Sequence, residues 1–107
     1  MQLKIYIDEH EQVINVPDNI ITDAKDYFDI IDKDMDRGYQ MSQTWVENPD
    51  LLQRCQIVSD RILTALENNN KETGTLMAGY ILSRVPNAYA MHLNLEGDMS
   101  LYDLETR

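Results

Sequence analysis

The stretch Asp32-Lys33-Asp34-Met35-Asp36-Arg37-Gly38 comes nearest to a chemical signature in this chain. Carboxylates at alternate positions followed by glycine evoke a calcium loop, because calcium wants several hard oxygen ligands and a sharp turn around them. Asp32, Asp34 and Asp36 are therefore the candidate metal ligands. The match departs from the pattern twice. Glycine falls one position late, with Arg37 in its place, and the twelfth position is Gln43 rather than a bidentate glutamate. A helical reading competes: Asp32 and Asp36 lie on the last turns of a helix capped by Gly38, and Asp34 then points away from both.

Other reactive side chains stand alone. Cys55 sits on an apolar stripe, where a thiol behaves as a small hydrophobe, and no residue placed to activate it is apparent. His10 falls in a polar turn and His92 on the polar side of a strand; they approach each other only if those two strands pair. No Ser-His-Asp order, phosphate-binding glycine loop, Walker motif or paired-cysteine motif occurs. No cofactor is expected.

The C-terminal run Asp98-Met99-Ser100-Leu101-Tyr102-Asp103-Leu104-Glu105 mixes apolar and acidic residues. It reads as an edge strand, a frayed end or a short linear motif. Met99, Leu101 and Tyr102 are its candidate partner-binding residues. Six Tyr and six Met could build an adaptable contact surface. Most sit on apolar stripes, and Met41, Met99 and Tyr102 are the ones expected to be exposed.

These residues must be carried by a fold of 107 residues, enough for a single α+β domain (1–107) with a short acidic tail from about 98 to 107. Leu3, Ile5 and Ile7 alternate with polar neighbours, as in a half-buried strand. Val13 to Val16 makes a second, so the chain opens on a β-hairpin ended by Pro17. Apolar residues Ile20, Ile21, Ala24, Tyr27, Phe28, Ile31 and Met35 predict one long helix ending at Gly38. Tyr39 to Glu47 fits a strand or a helix extension, with Trp45 expected to anchor it to the core. Asn48-Pro49-Asp50 reads as cap, first helical residue and first-turn acid. The helix it opens buries Leu51, Leu52, Cys55, Val58, Ile62, Leu63 and Leu66. A third helix, about 72–84, is apolar on most sides, which implies a central position or cover by another subunit. Tyr89 to Leu95 is the last strand. The order is ββαααβ, a small antiparallel or mixed sheet packed on a helical layer.

Charge narrows the partners. Nineteen acids against nine bases leave a net charge of −10. Nucleic acid and anionic membranes require a clustered basic footprint, and Arg54 with Arg61 is the nearest approach to one. No apolar run approaches a membrane span, no signal peptide is apparent, and one cysteine gives no disulfide framework, so the expected location is cytoplasmic. The expected function is a small acidic, non-catalytic interaction or regulatory module, dimeric or bound to another protein. The alternative is a small-molecule or metal-binding protein, or a small enzyme, with a site assembled from scattered carboxylates and histidines. A third reading, a nucleic-acid mimic, requires the first helix to display its Asp side chains as a stripe.

Overall fold

The first hairpin closes tightly. In the computed structural model, which describes residues 1–107, β1 (Gln2–Ile7) and β2 (His10–Asn15) are antiparallel and joined through Asp8 and Glu9. Asp8 takes φ 53°, a conformation Asp tolerates better than most residues. The strand pattern expected from Leu3, Ile5 and Ile7 is present: Leu3 and Ile5 are fully buried, and Ile7 packs against the core.

The expected first helix is two. α1 (Asp18–Asp23) and α2 (Lys25–Asp36) meet at Ala24, whose φ of −93° and ψ of 11° interrupt the helix. α2 buries Phe28, Ile31 and Met35 and ends before Gly38, which takes φ +110° as the expected C-terminal stop. The ambiguous segment is a small hairpin, β3 (Tyr39–Met41) and β4 (Thr44–Val46), turning at Ser42 and Gln43. Trp45 does not anchor it in the core. Its side chain is 56% exposed and its ring lies over Gly38, where a Cβ would meet it at 2.6 Å.

α3 (Leu51–Glu67) begins two residues later than Asn-Pro suggested. Asp50 is the cap: its Oδ1 accepts from the Gln53 amide at 2.8 Å, while Gln53 Oε1 accepts from the Asp50 amide at 2.9 Å. The helix buries Cys55, Val58, Ile62 and Leu63 as expected, but Leu51 and Leu52 stand half exposed. α4 (Lys71–Arg84), capped by Asn70, buries Met77, Ala78, Tyr80, Ile81 and Leu82. Its all-round apolar character is explained within the chain, since it packs among α1, α3 and β2. That removes the reason for expecting a second subunit to cover it.

β5 (Ala88–Leu93) pairs parallel with β1, and β6 (Asp103–Thr106) antiparallel with β5, giving the order β2-β1-β5-β6. The α+β plan therefore stands, as a mixed sheet against four helices rather than three. The tail is structured: a 3-10 turn (Met99–Leu101) leads into β6. One core cluster runs from Leu3 to Tyr102. Inside it Ser59 Oγ has no hydrogen-bond partner. Ser59→Ala is expected to keep or raise stability, by up to about 1 kcal/mol, because it deletes an unsatisfied buried hydroxyl; urea unfolding measures it.

Candidate functional site

Two places gather polar side chains with purpose, and they differ in kind. The first is the junction of α2, α3 and α4. Asp32, on the inner flank of α2, accepts from Tyr80 Oη at 2.5 Å, from Arg84 Nε at 3.0 Å and Nη2 at 2.8 Å, and from Arg54 Nη1 at 3.2 Å. Arg54 also donates to Asp36 Oδ1 at 2.8 Å, Asn48 Oδ1 at 2.9 Å and the Pro49 carbonyl at 2.8 Å. Desolvation pushes the Asp32 carboxyl upward. The hydrogen bonds from Tyr80, Arg84 and Arg54 outweigh it, and the group lies below its ordinary 3.8. Burial, then the hydrogen bond to Asp32 and its charge, drives the Tyr80 phenol well above its ordinary range.

This arrangement is a clamp, not a metal cage. Of the three candidate ligands, Asp32 and Asp36 turn toward Arg54, and Asp34 is exposed on another face of α2. The helix explains the split, because positions two apart are about 200° apart around the axis. No group of three His, Cys, Asp or Glu side chains converges anywhere in the fold. The same clamp takes three acids of the supposed phosphate-mimicking stripe, Asp32, Asp36 and Asp29, the last meeting Arg84 at 3.1 Å. Cys55 lies nearby, fully buried, and burial pushes its thiol up to about 12. It is expected to resist a thiol reagent such as dithionitrobenzoate in the native protein and to react fully in denaturant; rapid labelling of the native state would contradict the buried placement.

The histidines do not meet. β1 and β5 do pair, but His10 stands opposite Ile7 while His92 neighbours Tyr6, so they project from opposite faces of the sheet. His92 stacks on Tyr6, with ring centroids 4.7 Å apart, and meets Glu105, which Tyr89 also contacts. A register shift between Ala88 and Ala90 lets Tyr89 reach that outer face. None of these side chains lines the larger groove described next.

The second place is a groove of about 950 Å³ bounded by the β3–β4 turn, the start of α3 and residues 96–100. Its walls are tied to one another. Ser42, at φ 56°, donates to Asp98 Oδ1 at 3.0 Å and accepts from the Met99 amide at 3.2 Å. Gln56 Nε2 donates to the Tyr102 and Ser100 carbonyls at 2.9 and 3.2 Å, fixing the last segment against α3. Hydrogen bonds from Ser100 and Ser42 hold the Asp98 carboxyl below its ordinary range.

Of the side chains that the sequence suggested as exposed contacts, three are buried. Met41 is buried at 3% exposure, Met99 at 8% and Tyr102 at 2%, with the Tyr102 hydroxyl donating to Asp60 at 3.0 Å. They are core residues, because the tail folds back as a 3-10 turn and strand. Leu101 alone of the expected set is exposed, at 62%. Leu52, in the groove wall, and Leu51 and Leu95, beside wall residues, are exposed with it. The signal that could have found Leu51 and Leu52 is the Asp50–Gln53 spacing, which starts the helix later and puts both leucines in its first turn. No helix is long and apolar enough to cross a membrane. Comparison with protein-family models, curated proteins and solved structures finds no match.

Proposed function

We propose that this chain is a small, acidic, non-catalytic protein–protein interaction or regulatory module, and that its contact surface is the groove between the β3–β4 turn, the start of α3 and residues 96–101. One observation carries the reading: Leu52 stands 49% exposed in the groove wall, and Leu51, Leu95 and Leu101, each next in sequence to a wall residue, are exposed as well. Large apolar side chains gathered at one surface mark interaction sites more often than isolated ones do.

The groove wall supports binding over chemistry. It contains hydroxyls, amides and three carboxylates, but no His, Cys, Lys or Arg, and both of its serines are hydrogen-bonded to Asp98. Among the groups with shifted ionisation elsewhere, Asp32 is held by two arginines and Tyr102 by Asp60. The alternative, a metal or small-molecule site built from scattered carboxylates and histidines, has less support, because its candidate ligands lie apart. The proposed partner is a protein rather than nucleic acid: Arg54 is committed to Asp32 and Asp36, and no basic footprint is left. A cytoplasmic setting suits a single reduced Cys55.

Affinity capture with the tagged chain, with light scattering on the purified stock, tests the reading. The expected result is a stoichiometric protein partner, or a dimer, lost on substituting Leu52→Ser together with Leu101→Ser. Capture of nothing on a monomeric bait, or a partner retained at full level by that double variant, overturns it.

A further inference from the structure

We infer that the groove takes an extended, positively charged peptide segment with an apolar anchor. This rests on the interaction reading and adds the chemistry of the partner. The groove is acidic and polar, with Leu52 exposed in its wall, and charge complementarity selects the occupant. Three of the thirteen wall residues are carboxylates, Asp50, Glu96 and Asp98, and none is a cation. The nearest arginine in sequence, Arg54, is turned to α2 and tied to Asp32, Asp36, Asn48 and Pro49, so nothing neutralises the channel from within.

Each of the three keeps bonding capacity for an incoming donor. Asp50 accepts the Gln53 amide through Oδ1, and Asp98 accepts Ser42 and Ser100 through Oδ1. Their second oxygens and the Glu96 carboxylate take no hydrogen bond from the chain. A guanidinium or ammonium can satisfy them with charge-assisted bonds. A compact cation such as a polyamine would use the carboxylates but leave the leucines uncovered. An extended peptide covers both, because alternate side chains of a strand project to opposite sides, one toward the acids and the next toward Leu52. The overall charge of −10 adds long-range attraction for such a segment and repels an anionic one.

The test is fluorescence anisotropy with a labelled peptide of alternating Arg and Leu, titrated with the full chain. Tight, saturable binding is expected, weakened about tenfold between about 50 and 300 mM salt. Glu96→Gln with Asp98→Asn should weaken it at least about tenfold, and Leu52→Ser about fivefold. Asp26→Asn with Asp34→Asn removes the same charge from exposed sites on α2 and should leave affinity unchanged. No binding, equal loss from the α2 control, or displacement by spermine as effective as by unlabelled peptide overturns the inference. A captured partner that depends on Leu52 and Leu101 but not on Glu96 and Asp98 would sink the cationic segment while leaving the interaction module standing.

Discussion

Asp32→Ala is expected to lower the unfolding free energy by about 2–3 kcal/mol, measured by urea denaturation near neutral pH. The reason is the number of groups that depend on one carboxylate. Tyr80, Arg84 and Arg54 all donate to it, and they come from two helices that it ties to α2 at one point. Deleting the carboxylate leaves the Tyr80 phenol without its acceptor and takes one carboxylate from each guanidinium, with Arg54 keeping Asp36 and Arg84 keeping Asp29, in a partly desolvated junction. The Asp32 side chain is 27% exposed, so water reaches part of the site, and the cost falls below that of a fully buried charge pair. Tyr80→Phe removes one of the bonds and should cost about 1 kcal/mol.

The same residue sets an acid limb. The Asp32 pKa is lower in the folded chain than its ordinary 3.8, so the unfolded chain binds the proton more readily. Its contribution is complete above 3.8 and is lost as pH falls through the lower folded value. Asp32→Asn should therefore flatten the fall in stability below pH 3.8 while lowering stability at neutral pH. A variant whose acid limb matches the parent's would show that other carboxylates govern it.

Phe28→Ala is expected to cost more, about 3–5 kcal/mol, a large share of what holds a domain of this size together. Phe28 is fully buried where α2 crosses α4, and it meets the Tyr80 ring edge-on at a centroid distance of 6.0 Å. The ring fits because Gly79 has no side chain: a Cβ there would stand 3.2 Å from Phe28 Cζ and 3.4 Å from Ile20. Phe28→Leu keeps most of the apolar volume and should cost about 1.5 kcal/mol. A loss under 1 kcal/mol for the alanine variant would mean that the α2–α4 contact is not a principal part of the core.

The chain's local chemistry made the elements legible, and its long-range chemistry did not. Alternation in β1, the apolar steps of α2 and the Gly38 stop each act over a few residues, and each is present. The break at Ala24 has no local sign, since alanine favours helix; Ile20 instead packs across to Gly79 in α4. The clamp was invisible for the same reason. Arg54 and Arg84 lie 22 and 52 positions from Asp32, and nothing nearby in sequence marks them as its partners. The aspartates therefore looked like free ligands. Hydrophobicity does not equal burial at Trp45: the residue is 56% exposed and its ring covers the buried Gly38 turn. The tail shows the reverse error: its mixed acidic and apolar residues suggested exposure, yet Met99 and Tyr102 complete the core beneath a groove that only the folded chain assembles.

The central claim is that this groove is the working surface, and a photo-crosslinking residue placed at position 52 in the wall, with position 30 on the exposed face of α2 as control, addresses it most directly. A benzophenone side chain is introduced at each position and irradiated in native lysate. The account predicts one discrete heavier species from position 52 and none from position 30. No crosslink from position 52, or the same species from both positions, would contradict it.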